Sequence, residues 1–131
     1  MRELVKVYKV LADESRLRVL NLVLERECCV CEVMQALGIS QSKASRILSA
    51  LYDAGFLRLR KDGLWSLYSI DQGGMSTHLK AILEATSKVF EGDKQMQIDI
   101  ERLRTAKRVG PGCVDKACKA TSVAEAARAN S

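Results

Sequence analysis

Residues 28–70 read CCVCEVMQALGISQSKASRILSALYDAGFLRLRKDGLWSLYSI. Apolar residues recur at helical spacing from Cys28 to Leu37, and Gly38 stands where a glycine commonly closes a helix. Ser40 is the expected N-cap of the next helix, over about 41–54, with Ala44, Ile47, Leu48 and Leu51 as its inner stripe and Gly55 as its stop. Two helices joined through Gly38-Ile39-Ser40 are a helix-turn-helix signature. Two β-prone runs follow, Phe56–Arg60 and Trp65–Ile70, joined by Lys61-Asp62-Gly63-Leu64. Asp-Gly between such runs predicts a hairpin, so the motif is expected to be winged.

The outer face of the second helix carries Gln41, Ser42, Ser45, Arg46 and Ser49, with Lys43 beside them and Ser40 at the cap. Short polar side chains let a helix sink into a DNA major groove. Gln and Arg read base edges, while Ser and Lys suit phosphates. The hairpin adds Arg58, Arg60 and Lys61 for backbone or minor-groove contact. From Ser40 to Gly63 five basic residues face two acidic ones, a local charge of +3. Positive charge is therefore concentrated where a double-stranded DNA partner would lie.

Residues 3–12 and 14–26 read as helices, the second N-capped by Asp13. A long helix is expected from about Ser76 to Arg104, with Gly92 as a point of interruption, and Gly110-Pro111-Gly112 ends it. The division expected is a domain over 1–92, a helical extension over 93–109 and a flexible cysteine-containing tail over 110–131. The fold class is mainly α with a small β-hairpin. The whole chain has 131 residues, 47% hydrophobic, 28% charged and 5% aromatic, with a single proline. Scarce aromatics and turn residues argue against an all-β sandwich or barrel. The net charge of +5 agrees with a polyanionic partner. No apolar run approaches the ~18 residues a bilayer span needs, and the charged N-terminus does not read as a secretory signal. A cytoplasmic, reducing location is expected. No Gly-rich phosphate loop, paired catalytic carboxylates or HExxH motif suggests an enzyme.

In that setting the five cysteines, Cys28, Cys29, Cys31, Cys113 and Cys118, do not read as a disulfide framework. Ligation of a soft metal or metalloid, or thiol redox sensing, is the sharper reading. The stretch LADESRLRVLNLVLERECCVCEVMQALGISQSKASRILSALYDAGFLRLRKDGLWSLYSI, residues 11–70, resembles the ArsR/SmtB family of metal- and metalloid-responsive repressors. The resemblance covers about residues 4–92 and implies a homodimeric winged-helix repressor, paired through its first and last helices, that leaves operator DNA when inducer binds. Leu64 departs from the pattern, since the family often has a basic residue after the turn glycine.

Cys29-Val30-Cys31 matches the Cys-Val-Cys of arsenite- and cadmium-responsive members. Thiolates suit As(III), Sb(III), Cd(II) and Pb(II), and a helix N-terminus favours the thiolate form. As(III) takes three thiolates. The position three residues after the pair, which often supplies the third, is Met34 here. The third ligand is therefore open among Cys28, which sits i, i+3 from Cys31, Cys113 and Cys118. In a regular helix, residues two apart point about 200° apart. Two such sulfurs sharing one ion are expected to unwind the turn and mis-set the recognition helices. Besides the arsenic or antimony reading stand a Cd/Pb-responsive repressor and a thiol-redox or persulfide sensor joining Cys31 to Cys113 or Cys118. The zinc site implied by the family needs paired histidines, and His78 is alone.

Overall fold

The computed structural model describes residues 1–109. Its elements in order are α1 (Arg2–Leu11), α2 (Glu14–Glu25), β1 (Cys28–Cys29), α3 (Val30–Leu37), α4 (Gln41–Asp53), β2 (Leu57–Asp62), β3 (Trp65–Ile70), α5 (Thr77–Glu91) and α6 (Lys94–Thr105). The tail expected over 110–131, with Cys113 and Cys118, lies outside the described residues.

Capping residues set the helix boundaries. The side chain of Asp13 accepts from Arg16 N–H at 3.0 Å and starts α2. Ser40 Oγ accepts from Lys43 N–H at 3.2 Å and starts α4. Gly38 adopts φ 69°, a left-handed conformation that a Cβ would strain, and so ends α3 sharply enough for α4 to turn away. Together α3 and α4 form the helix-turn-helix.

The sheet is antiparallel in the order β1-β3-β2. The hairpin pairs Asp62 with Trp65 and turns on Gly63-Leu64, with φ 62° at Gly63. The turn is thus two residues, tighter than the four read from sequence, and β2 runs on to Asp62. No periodicity announces β1, whose Cys28 and Cys29 pair with Tyr68 and Leu67. That pairing corrects the expected start of the third helix. Backbone groups committed to β3 cannot join α3, which begins at Val30.

The core gathers Leu20 and Leu22 of α2, Val33 and Met34 of α3, Leu48 and Leu51 of α4, Phe56, and Leu67 of β3, all fully buried. Each such side chain contributes about 1.5–3 kcal/mol by leaving water. The expected helix over 76–104 is two helices. Asp93 accepts from Met96 N–H at 3.1 Å and caps a new start just after Gly92. The break lets α6 fold back against α2 and α3, where Leu103 is fully buried. Residues 94–105 therefore belong to the same core instead of trailing from it. Arg18 and the buried Asp99 staple α2 to α6 through bonds of 2.8 and 2.9 Å. Among the described residues no helix is long and apolar enough to cross a membrane.

Candidate nucleic-acid interface and thiol site

Helix α4 is amphipathic as its spacing predicts. Ala44, Ile47, Leu48 and Leu51 are buried against the core. On the other side Ser40, Ser42, Lys43, Arg46 and Ser49 are exposed, and Gln41 and Ser45 are half-buried. Ser40 Oγ and Ser42 Oγ lie 3.4 Å apart at the leading end. Among the described residues Lys43 and Arg46 make no ion pair, so both cations face outward for an external anion.

The wing is less open than expected. Arg60 is exposed but not free. Its Nε and Nη2 hold Glu27 at 2.8 and 2.7 Å, a two-pronged pair. This hydrogen bond, with Arg60's charge, holds the Glu27 carboxyl below its ordinary range. Arg58 Nε donates to Ser69 Oγ at 3.1 Å, and Lys61 Nζ to Ser66 Oγ at 2.6 Å. Leu64 tops the hairpin, 73% exposed. Trp65 beside it is half-buried, and its indole N–H is buried with no acceptor among the described residues.

Cys28, Cys29 and Cys31 are all buried. The structure separates them. Cys29 is the N-cap of α3, with extended backbone (φ −95°, ψ 169°), so the two sulfurs are not bound by the angular spacing of a helix. Cys29 Sγ and Cys31 Sγ lie 3.8 Å apart. Two metal–thiolate bonds of ~2.3 Å at an open pyramidal or tetrahedral angle place sulfurs roughly 3.5–3.8 Å apart. The expected unwinding of the turn is therefore unnecessary, because the pair already converges at the edge of β1.

Cys28 goes elsewhere. Expected at helical spacing from Cys31, it sits on a strand, where neighbouring side chains leave opposite faces. Its Sγ donates to Arg26 O at 3.2 Å and approaches Leu22 O at 3.8 Å. Burial, with the nearby Glu32 charge, pushes its thiol pKa up to about 12.

Around Cys31 the structure assembles residues the sequence reading passed over. The side chain of Glu32, 3% exposed, accepts from Cys29 N–H at 3.0 Å and pairs with Arg26 at 2.5 Å and Arg108 at 3.2 Å. The Cys29-x-x-Glu32 spacing of a reciprocal cap was its available signal. Gln35 Nε2 lies 3.6 Å from Cys31 Sγ and donates to Lys107 O at 2.6 Å. Lys107 O also accepts from Cys31 Sγ at 3.5 Å, and Val109 N–H donates to that sulfur at 3.4 Å. The chain after α6 thus runs directly over the thiol pair. No signal in local periodicity announces such a return. His78 is exposed near the start of α5. Among the described residues no three His, Cys, Asp or Glu side chains are grouped to hold a metal.

A sequence profile described as bacterial regulatory protein, arsR family, matches residues 13–58. The chain is 45% identical over 100 residues to the arsenic resistance transcriptional regulator ArsR1 of Pseudomonas putida, spanning 71% of this chain and 78% of that one. It is 43% identical to the arsenical resistance operon repressor of Escherichia coli, over 50% of this chain and 57% of that one. A cadmium resistance regulatory protein, a CadC homolog of Staphylococcus aureus, is 34% identical over 63% of this chain and 65% of its own. Among solved structures, reduced HlyU of Vibrio cholerae superposes with a TM-score of 0.56 at 31% identity, covering 67% of this chain and 88% of that one. The homodimeric winged helix-turn-helix domain of Mb0332 from Mycobacterium bovis gives 0.58 at 25% identity, over 71% and 82% of the two chains.

Proposed function

The chain belongs to the arsR family of bacterial regulatory proteins, and from that premise we propose that it is a homodimeric, operator-binding repressor induced by As(III) or Sb(III) on Cys29 and Cys31. One observation carries the proposal: the 3.8 Å sulfur pair at the N-terminus of α3, the helix on which α4 rests. Thiolates are the ligands these soft ions select. The similarity to arsenic resistance regulators supports the same inducer.

In this reading Ser40, Gln41, Ser42, Lys43, Ser45, Arg46 and Ser49 present α4 to the major groove, its N-terminal residues reaching the base edges. Lys61 meets the flanking backbone, and Arg60 joins it only on leaving Glu27. Leu4, Val5 and Tyr8 leave α1 apolar toward solvent, next to a groove that Val7 shares with Leu79 and Ile82 of α5. A second copy covering this face gives the pair of reading heads that two half-sites one DNA turn apart require, about 34–36 Å. Cys29 caps α3 and also pairs with Leu67 of the wing. A shift at its sulfur therefore reaches both reading elements. With the half-site spacing fixed, a small rotation lowers affinity.

Fluorescence anisotropy of the reduced protein on DNA from upstream of its own gene tests this. Tight binding should be lost at micromolar arsenite, while Cys29→Ser and Cys31→Ser proteins bind the DNA and ignore arsenite. Release by cadmium or lead but not arsenite moves the inducer to those ions. Binding unchanged by every thiophilic ion overturns the reading.

A further inference from the structure

Resting on the operator-binding reading, we infer that Glu27 holds Arg60 as an internal stand-in for a DNA phosphate, so that the wing grips the backbone with one cation fewer than its sequence offers. Glu27 is then a residue that sets the ceiling on operator affinity.

The wing cations are not held alike. Arg58 Nε rests on the hydroxyl of Ser69 at 3.1 Å, and Lys61 Nζ on that of Ser66 at 2.6 Å. A neutral hydroxyl yields readily to a phosphate, because a hydrogen bond between two charged groups is the stronger one. Arg60 Nε and Nη2 close instead on the two carboxylate oxygens of Glu27, at 2.8 and 2.7 Å. The guanidinium fork fits a carboxylate and a phosphate alike, and it satisfies one of them at a time. Among the described residues of α4 and the wing, Arg60 is the one cation in an ion pair.

Direction separates Arg60 as well. The sheet runs β1-β3-β2, and Cys29, Leu67 and Arg60 form one row across it. Residues directly opposite one another share a face of a sheet. Leu67 is fully buried, so that face is turned to the core. Arg60 therefore starts toward the protein and reaches past β3 to Glu27, which stands just ahead of β1. To meet DNA it has to leave a partner already in place. Leaving also uncovers the Glu27 carboxylate, which repels the backbone that Arg60 would join.

The pair is half in water, with the Arg60 side chain 51% exposed and that of Glu27 24%. An ion pair so exposed adds little to folding. Neutralising Glu27 thus leaves the fold in place and shows itself in DNA binding. The basic stretch Ser40–Gly63 does not reveal the pair, since Glu27 lies 33 residues before Arg60.

Fluorescence anisotropy on DNA from upstream of the protein's own gene, run across a salt series, tests this. Wild type, Glu27→Gln, Arg60→Ala and the double variant are compared, each checked by circular dichroism. Every phosphate gripped adds about one to the slope of log affinity against log salt. Glu27→Gln should bind roughly two- to five-fold tighter than wild type, with a slope steeper by about one. Arg60→Ala should lower the slope by about one in the Glu27→Gln background and by far less in the wild-type background. Equal falls in both backgrounds show Arg60 gripping DNA in spite of Glu27 and overturn the inference. A folded Glu27→Gln protein that binds no tighter than wild type overturns it too. If Glu27→Gln loses its fold, Arg60→Ala decides alone, a fall of about one in the slope overturning the inference and a much smaller one supporting it. If no variant and no wild-type protein binds the duplex, the operator reading itself falls and takes the inference with it.

Discussion

Cys28 and Cys29 are neighbours with opposite chemistry, because alternate residues of a strand leave opposite faces. Cys28 donates into two carbonyls, and its thiol pKa is raised to about 12. In the folded protein it should resist iodoacetamide at pH 8.5, as peptide mapping would show, and react only on unfolding. The linkage sign follows. The unfolded thiol ionises near its ordinary value of 9 and the folded one near 12, so this group's contribution to stability declines as pH rises through that window. On α4, Arg46 is exposed, so Arg46→Ala should leave the melting temperature within a degree or two. It should weaken operator binding by about 1–3 kcal/mol if it reads a base. A titration against specific and scrambled DNA checks this, since equal losses on both would make Arg46 a phosphate contact. Arg46 and Lys43 were legible in sequence because the inner stripe Ala44, Ile47, Leu48 and Leu51 leaves their side outward. Cys28 was not, since a two-residue strand has no periodicity to read and its partner lies forty residues on.

At the level of elements, caps explain what the sequence could and could not announce. Asp13, Gly38 and Ser40 act through their own backbone neighbourhoods, and each boundary falls where its chemistry predicts. Ser40→Ala removes the acceptor for Lys43 N–H and should cost about 0.5–2 kcal/mol in urea unfolding. The break at Gly92–Asp93 depends on the same local chemistry, but its reason is distant, since only the docking of α6 on α2 and α3 rewards it. The Glu27–Arg60 pair ties the approach to β1 to the wing. Because the Glu27 pKa is lowered in the folded state, the pair is intact above the ordinary carboxyl value and lost as pH falls through the lowered one. Arg60 amide and side-chain resonances should accordingly be constant from pH 8 to 5 and move only in more acid solution. A transition near neutrality would show that Glu27 is not the partner.

For the whole molecule, α6 is the element the sequence reading undervalued. Its mixed polar composition hides a face that buries Met96, Asp99, Ile100 and Leu103. Asp99 is fully buried, while the Arg18 side chain is 22% exposed. Asp99→Asn leaves the guanidinium without its counter-charge. The loss should be about 2–3 kcal/mol, below the ~3–5 typical of a broken buried pair because Arg18 keeps some water. Calorimetry measures it. Assembly is tested at α1, which buries Val7 but exposes Val5 at 45% and Tyr8 at 56%. Val5→Glu should sediment as a monomer and lose operator binding while retaining its helical signal. A Val5→Glu protein that stays dimeric would remove α1 from the interface.

The single tryptophan of the chain stands on β3, two residues before the partner of Cys29. Its indole N–H is shielded and has no acceptor among the described residues. An indole so placed emits at short wavelength, and its colour and yield change when the hairpin moves or a DNA backbone closes over it. Trp65 is thus a natural lamp on the wing. Stopped-flow mixing with arsenite or DNA should follow the reader's motion in real time, with no dye attached.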